Sequence, residues 1–229
     1  MKLSIIMPVY NEEYRIRNTL QKIISYLDHK TISYEIIVVN DGSIDNSLQE
    51  ILKEKTKDIQ VVSYKKNMGK GYAVKTGVLT SKGDLIFLCD ADLSMPISEL
   101  GKFLHRKEDI VIGSRAIKNS KVKTNIFRKI AGRFGNFLIS LFIIRGIEDT
   151  QCGFKLFNKK CKKLFEKQTI TGWGFDFEIL FLAEKYKYSI KEIPITWIHS
   201  KNSKIKWTDY PKTLLEILKV RINNIRGVY

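Results

Sequence analysis

Short apolar runs alternate with longer segments of helical spacing through the first hundred residues. Four such runs, at residues 3–7, 35–39, 59–64 and 85–89, contain few polar positions. Runs of this length are typical of strands buried on both faces of a parallel sheet. Between them, apolar residues recur at the spacing of one helix face. Alternating strands and helices predict an α/β fold with a doubly wound, mostly parallel sheet.

Polar clusters follow three of these predicted strands. Residues 8–12 read PVYNE, residues 40–43 read NDGS and residues 90–92 read DAD. The carboxyl ends of parallel strands share one edge of a sheet, where α/β proteins bind ligands. A dinucleotide fold would need G-x-G-x-x-G after the first strand, and the sequence has PVYNEE there. The clusters therefore predict a nucleotide crevice of another kind. Asn11 also predicts a helix N-cap, with Glu12 and Glu13 in the first turn.

Asp90 and Asp92 are the strongest candidates for metal ligands. They directly follow the run at 85–89, two positions apart. Residues at this spacing in an extended chain point the same way, so both carboxylates could face one ligand. Paired carboxylates suit Mg²⁺ or Mn²⁺, which would share phosphate oxygens. The alternative is a solvated turn in which Asp92 caps the next helix, and spacing alone leaves both interpretations open.

The net charge of +16 lies entirely in the second half of the chain. Residues 1–100 contain 13 basic and 13 acidic residues, whereas residues 101–229 contain 27 and 11. The segment 115–145 contains eight basic residues and no acidic one. This asymmetry predicts a polyanionic partner, either nucleic acid or an anionic membrane surface. A lysine-rich composition common to the source organism would also account for it.

Neither a membrane span nor a disulfide framework is visible in the sequence. The longest apolar run, residues 137–144, falls well short of the ~20 residues that cross a bilayer. The N-terminus passes directly into a strand pattern, unlike a signal peptide. The three cysteines have unrelated spacings, so we expect a reducing, cytoplasmic setting.

Two helical segments of the second half have apolar faces. Residues 134–144 follow the basic residues at positions 115–133, and residues 212–226 combine an apolar face with four basic residues. A basic amphipathic helix is typical of a membrane-surface element. Core contact or a dimer interface would produce the same pattern.

Several linked motifs resemble one known family. They are PVYNEE, VVNDGSxD, NxGKG and DAD in the first half, and IGSR (112–115), DTQCGFK (149–155) and GFDFE (174–178) in the second. In this order and spacing, over residues 3–200, they resemble inverting family 2 glycosyltransferases with the GT-A fold. The closest likeness is to dolichyl-phosphate β-glucosyltransferases, followed by dolichyl-phosphate mannose synthases. The resemblance implies one domain over 1–229, with a nucleotide-binding half (1–100) and a basic acceptor-binding and membrane-facing half (101–229).

The resemblance also implies roles for individual residues. The nucleotide site would comprise Pro8, Tyr10, Glu12, Val39, Asp41, Lys70, Asp90, Ala91 and Asp92. Asp90 and Asp92 would bind the metal, Mg²⁺ or Mn²⁺. The catalytic set would be Asp92, Arg115, Arg128 and Lys155, with the three cations gripping the donor and acceptor phosphates. Asp41 could instead form an Asx turn, and Lys70 or Arg133 could be solvated surface cations. Asp176 and Glu178 would orient the acceptor or favour a helix N-terminus.

The implied reaction transfers a hexose, with inversion, from a nucleotide sugar to a polyprenyl or dolichyl phosphate. UDP-glucose is the favoured donor and GDP-mannose the alternative. A phosphate monoester has a second pKa near ~6, so it is already an anionic nucleophile at neutral pH. We expect peripheral attachment to the cytoplasmic face of a membrane. A basic nucleic-acid-binding protein is the rival class, but no nucleic-acid motif is present, so no nucleic-acid partner is expected.

Overall fold

The computed structural model describes residues 1–54, 56–123, 126–198 and 209–229, and within these it leaves the side chains of 126–131, 133–134 and 209–211 undescribed. The strands are β1 (Lys2–Val9), β2 (Ser33–Asn40), β3 (Ile59–Ser63), β4 (Leu85–Leu88), β5 (Ile110–Ser114), β6 (Lys121–Lys123), β7 (Lys155–Asn158), β8 (Ile190–Pro194) and β9 (Thr196–Ile198). The α-helices are α1 (Ile16–Asp28), α2 (Ser47–Lys53), α3 (Lys70–Thr80), α4 (Gly101–Leu104), α5 (Ile126–Phe142), α6 (Lys162–Lys167), α7 (Phe175–Lys185) and α8 (Asp209–Ile225).

Seven strands form one sheet in the order β3-β2-β1-β4-β7-β5-β8, and β6 pairs with β9 in a separate ribbon. The strands of the large sheet run parallel except β7, which is antiparallel to both β4 and β5. The prediction of a mostly parallel α/β sheet is therefore confirmed. Insertion of β7 between β4 and β5 brings the second half of the chain directly beside the strand that precedes Asp90.

The register places the three predicted polar clusters at one edge of the sheet. Val9 at the end of β1 lies opposite Asn40 at the end of β2. Ile6 pairs with Leu88, the last residue of β4, so β4 ends at the same edge. The prediction that the three clusters share one edge of the sheet is therefore confirmed.

Two local predictions at this edge are wrong. Asn11 is not an N-cap, because α1 begins at Ile16. Asn11 instead adopts a left-handed conformation (φ 52°), and its side-chain oxygen accepts a 2.9 Å hydrogen bond from the amide of Ile44. The chain after β4 is not extended either. It turns, with the Leu93 amide 3.3 Å from the Asp90 carbonyl and a left-handed Leu93 (φ 44°).

One hydrophobic core spans both halves of the chain. Phe87 of β4 makes edge-to-face contacts with Phe103 and with Phe154, at ring separations of 5.3 and 5.1 Å. Each such pair contributes about 1 kcal/mol beyond its buried area. Because β4 packs against residues of the second half, the carboxylates that follow it are held against that half as well.

Candidate active site

Asp41 orders the loop that leads into α3. Its carboxylate accepts hydrogen bonds from the amides of Met68 (2.7 Å) and Gly69 (2.9 Å) and from the Asn67 side chain (3.0 Å). Burial raises the pKa of Asp41 and outweighs these bonds, which act in the opposite direction. Asp41 was predicted to bind the base or ribose, with an Asx turn as the alternative. In the structure the Asp41 carboxylate is buried and binds the loop that leads to Lys70.

Lys70 and Asp90 form an ion pair at the sheet edge. The Lys70 Nζ atom, on the first residue of α3, lies 2.7 Å from Asp90 Oδ1. The Asp90 side chain remains 34% exposed, so a ligand can reach the pair. Burial alone would lower the pKa of Lys70, but Asp90, Asp176 and Asp92 together raise it. Lys70 therefore stays cationic while it is paired with Asp90.

Asp90 is the centre of the charge arrangement. Burial alone would raise its pKa, but attraction to Lys70, followed by weaker attraction to Lys155 and Arg115, lowers it. The three cations come from α3, β7 and the segment after β5, so the folded sheet is needed to assemble them. Asp90 is therefore held as an anion by the attraction of three cations.

Gly153 allows the Asp90 carboxylate to lie against the backbone of the neighbouring segment. A Cβ atom at residue 153 would be 1.8 Å from Asp90 Oδ2 and 2.6 Å from Asp90 Cγ. Such distances are far inside van der Waals contact, so only glycine fits without displacing the carboxylate. The segment before β7 thus fixes the position of Asp90.

Arg115 makes a bidentate ion pair with Asp149. Its Nε and terminal nitrogen lie 2.7 and 2.8 Å from the two Asp149 oxygens, and its amide donates to the same carboxylate at 2.9 Å. The guanidinium carbon also lies 5.4 Å from the ring centre of Trp197. Burial alone would raise the pKa of Asp149, but Arg115 lowers it. The side chain of Arg115 remains 33% exposed, so its free edge can still contact a phosphate.

Lys155 lies beneath the site and not on its surface. Only 1% of the residue is exposed, and its Nζ donates to the Cys152 carbonyl (2.6 Å) and to the Asp176 carboxylate. Asp176 is similarly buried, at the start of α7, and burial raises its pKa despite the attraction of Lys155 and Lys70. Lys155 can therefore attract Asp90 electrostatically, but it has no exposed surface that a phosphate could contact.

Asp92 is held with its carboxylate oriented by Ser94. The Ser94 amide donates to one oxygen at 3.0 Å and the Ser94 hydroxyl to the other at 2.8 Å. Each carboxylate oxygen has a further lone pair for a cation. Within the described part of the chain, no three His, Cys, Asp or Glu side chains gather as a metal cluster. The carboxylates of Asp90 and Asp92 nevertheless supply hard oxygen ligands. Such ligands fit a Mg²⁺ or Mn²⁺ ion that takes its other ligands from a diphosphate and water.

The other predicted nucleotide residues lie on or beside the same edge. Tyr10 is exposed, and Pro8 is on β1 opposite Val39 of β2, which is fully buried. Glu12 is nearly buried and forms an ion pair with Arg15.

Two further residues, Ala91 and Arg128, were also predicted to belong to the site. The carbonyl of buried Ala91 accepts a 2.7 Å bond from Thr19, so this residue contributes to the turn through its backbone. Arg128 is on α5, but its side chain lies outside the described part of the structure.

Sequence reasoning did not single out three residues that shape the site. Asp149 fixes Arg115, Gly153 makes room for Asp90, and the Trp173 ring lies 5.1 Å from Lys70 Nζ. Asp149 and Gly153 both belong to the DTQCGFK segment noted in the sequence, and Trp173 directly precedes GFDFE. Position next to these motifs was the signal available for finding them.

A surface cavity of about 440 Å³ adjoins the Arg115–Asp149 pair. Its lining residues from α5 are Asn136, Phe137 and Ser140, and the remainder are Ala116, Gly146, Ile147 and Glu148. Ala116 and Glu148 are the chain neighbours of Arg115 and Asp149. The cavity therefore lies between α5 and the chain neighbours of this ion pair.

Exposed apolar side chains cover one face of α8 and part of α5. On α5 they are Phe137, Leu141 and Phe142, and on α8 they are Leu214, Leu215, Leu218, Ile222 and Ile225. Arg221 joins the helices by donating a hydrogen bond to the Phe142 carbonyl. Among the described residues, no helix has the length and apolar character required to cross a bilayer.

Comparison with known proteins identifies the family. The sequence model of glycosyl transferase family 2 matches residues 4–165. A dolichyl-phosphate beta-glucosyltransferase of Trichomonas vaginalis is 37% identical over 96% of this chain and 73% of its own length. The human dolichyl-phosphate beta-glucosyltransferase is 33% identical over the whole chain and 77% of its own length.

Solved structures agree on the fold. Glucosyl-3-phosphoglycerate synthase from Mycobacterium tuberculosis, crystallised with Mn²⁺, UDP and glucosyl-3-phosphoglycerate, superposes with a TM-score of 0.69 at 17% identity, over 97% of this chain and 79% of its own. Mannosyl-3-phosphoglycerate synthase from Rubrobacter xylanophilus gives 0.70 at 15% identity, over 99% and 74%. These likenesses establish the GT-A architecture of the sheet. The chain belongs to glycosyltransferase family 2 and is a glycosyltransferase with the GT-A fold.

Proposed function

We propose that this chain transfers glucose, with inversion, from UDP-glucose to a dolichyl or related polyprenyl phosphate, using Mg²⁺ or Mn²⁺. The observation that carries the proposal is the arrangement around Asp90. A partly exposed carboxylate at the nucleotide edge is attracted to Lys70, Lys155 and Arg115. Relatives that match nearly the whole chain are dolichyl-phosphate beta-glucosyltransferases.

The donor would occupy the edge formed by the ends of β1, β2 and β4. Asp92, with Asp90 beside it, would hold the metal, which stabilises the negative charge of the leaving diphosphate. Lys70 would contact the diphosphate from the start of α3, once the anion competes for its ammonium group. The Asp41-bound loop fixes Lys70 for this contact, because Asp41 binds the backbone amides of Met68 and Gly69 and the side chain of Asn67.

The acceptor phosphate would approach from the side of Arg115. Its anionic oxygen attacks the anomeric carbon directly, so the enzyme must position it and compensate its charge. Arg115 would supply this charge, with Asp149 keeping the guanidinium oriented. Arg128 on α5 is proposed to act with it. Asp176, the carboxylate at the start of α7, is buried and paired with Lys155, which accords with an acceptor that needs no general base.

We propose that the enzyme binds the cytoplasmic face of a membrane peripherally, through α5 and α8. The exposed apolar side chains of these helices would enter the interface. Four exposed basic residues accompany them, namely Lys212, Lys219 and Arg221 on α8 and Arg226 directly after it. Each basic residue near an anionic leaflet contributes about 1 kcal/mol, so this set would contribute about 4 kcal/mol at most. The cavity is lined by Phe137 of α5 and by Ala116, the chain neighbour of Arg115, which suits a phosphate carried on a lipid chain.

The proposal is tested by incubating the protein with radiolabelled UDP-glucose, UDP-galactose or GDP-mannose and a short polyprenyl phosphate. We expect label in the organic phase from UDP-glucose, dependent on added Mg²⁺ or Mn²⁺. Asp92→Asn is the control, since it keeps the side-chain volume but removes the charge of a metal ligand. Transfer from GDP-mannose alone would overturn the donor assignment, and full activity of Asp92→Asn would overturn the metal assignment.

A further inference from the structure

The loop at residues 168–174 fits closely against the start of α3. The Gln168 side chain donates to the Gly71 carbonyl at 2.9 Å, and the Tyr72 amide lies 3.2 Å from the Thr171 carbonyl. A Cβ at Gly69 would be 2.4 Å from the Thr171 carbonyl oxygen. Gly69 also has a φ of 101°, which side chains rarely adopt. The loop at residues 168–174 therefore packs directly against the segment that carries Lys70.

Trp173 connects this loop to the charged centre. Its ring lies 5.1 Å from the Lys70 ammonium, which in turn lies 2.7 Å from Asp90. An ammonium over an indole face is attracted by the ring quadrupole. The position of the Trp173 ring therefore influences the orientation of the Lys70 side chain.

Glu216 of α8 holds the other side of the same loop. Its Oε2 atom accepts a 2.8 Å hydrogen bond from the Gly174 amide. A Cβ at Gly172 would lie 2.2 Å from Glu216 Oε1, so the carboxylate occupies space that only glycine leaves open. The two glycines that flank Trp173 are thus both in contact with one carboxylate.

A second link ties the C-terminal segment after α8 to the beginning of the loop. Buried Glu178 accepts hydrogen bonds from the amides of Thr169 and Ile170, both at 2.9 Å. The Tyr229 hydroxyl donates to the same carboxylate at 2.6 Å. The helix is therefore linked to the loop at its middle, through Glu216, and just beyond its C-terminal end, through Tyr229.

The opposite face of α8 is exposed and apolar. Leu215, next to Glu216 in the chain, is 66% exposed, and Leu218 is 55% exposed. One helix thus carries both the proposed membrane-contacting residues and the carboxylate that holds the loop. An interaction that immobilises the exposed face of α8 would therefore also immobilise Glu216.

We propose that Glu216 is a positioning residue that couples seating of α8 on an anionic membrane to the donor side of the active site. Through Gly172 and Gly174 it fixes Trp173 against Lys70, which holds the diphosphate. This inference rests on the proposed function, because it assigns Lys70 to a donor diphosphate. Membrane-bound enzyme would then bind its donor more tightly than enzyme in solution.

The test compares wild type with Glu216→Ala, Glu216→Gln and the control Glu184→Ala, an exposed glutamate of α7. Donor KM and kcat are measured on a short polyprenyl phosphate, with and without vesicles of phosphatidylcholine and phosphatidylserine. Amide hydrogen exchange of residues 168–174 is followed in the same mixtures. The exchange measurement requires no turnover, so it decides the inference even if the wild type transfers no glucose.

We expect vesicles to lower donor KM and slow exchange of the loop in the wild type and in Glu184→Ala. Glu216→Ala should raise donor KM about tenfold to a hundredfold, as expected for one lost hydrogen bond to a charged group, with kcat little changed. It should not respond to vesicles, whereas Glu216→Gln, which keeps an acceptor oxygen, should recover most of the response.

Loop exchange in Glu216→Ala that slows on vesicles as in the wild type would overturn the inference, as would wild-type exchange that ignores vesicles. Should Glu216→Ala fold poorly by circular dichroism, Trp173→Leu tests the same connection. It should raise donor KM without changing vesicle binding. An unchanged donor KM in Trp173→Leu would also contradict the inference.

Discussion

Replacing Asp176 by asparagine should strongly destabilise the protein. The substitution removes the charge that faces Lys155, an ammonium only 1% exposed to solvent. Lys155 would keep its 2.6 Å bond to the Cys152 carbonyl but lose its ionic partner. A buried charge left without its counter-charge is among the most costly defects in a protein interior.

Removing one member of a buried ion pair typically costs about 3–5 kcal/mol. Asp90 also attracts Lys155 and would compensate in part, so we expect about 3 kcal/mol. For a chain of this size, that corresponds to a fall in Tm of about 6–12 °C. The double variant Lys155→Met, Asp176→Leu removes both charges at similar volume, and it should lie within about 1–2 kcal/mol of wild type.

Urea unfolding and thermal unfolding, both followed by circular dichroism, provide the comparison. The double variant is the matched control, because it separates loss of the ion pair from the burial of an unpaired charge. A single variant that loses less than about 1 kcal/mol, or no more than the double variant, would refute the reasoning. Lys155 would then be reached by solvent and could not be the buried cation described here.

Three further predictions concern the site. Gly153→Ala should lower kcat/KM by about a hundredfold or more while leaving Tm nearly unchanged, because the new Cβ must displace the Asp90 carboxylate; steady-state kinetics on the folded variant decide this, and near-normal rates would contradict it. Arg115→Lys should raise the KM for polyprenyl phosphate by about tenfold or more, since lysine cannot form the bidentate fork, while calorimetry should show UDP affinity within about twofold of wild type. Asp149→Asn should weaken the acid dependence of stability. Burial alone would raise the pKa of Asp149, but Arg115 lowers it. The stabilisation that the ionised Asp149 carboxylate provides is therefore present above the ordinary carboxylate pKa of about 4 and is lost as pH falls through the lowered value. Urea titrations from pH 7 downward measure the slope, and identical slopes in variant and wild type would exclude this role.

Apolar runs and their polar ends were sufficient to predict the sheet and the edge that carries the site. A strand buried on both faces is recognisable from a few residues, and the carboxyl ends of parallel strands meet without further information. Asp41, Asp90 and Asp92 could therefore be assigned to one edge from the chain alone, whereas Lys70 was assigned to the site through the family resemblance. Arg115 could be added because it follows a strand end.

Side-chain partners could not be predicted, because they depend on which strands become neighbours. Lys155 is buried because β7 runs antiparallel between β4 and β5, and periodicity does not report strand order. Asp41 bonds residues 67–69 from across the sheet edge, although its local sequence indicates a simple turn. The turn at Asp90–Leu93 depends on the Thr19 hydroxyl, which lies on a different element.

The most direct test of the proposed reaction is the identity of the lipid product formed from UDP-glucose. Purified protein, Mg²⁺ and UDP-glucose are incubated with a short polyprenyl phosphate or, as matched control, the corresponding polyprenol, and the product is characterised by NMR. We predict a β-linked glucosyl phosphate, because UDP-glucose is α-linked and the transfer inverts, with no product from the alcohol. An α-linked product, glucosylation of the polyprenol, or no transfer to the polyprenyl phosphate would contradict the proposed reaction.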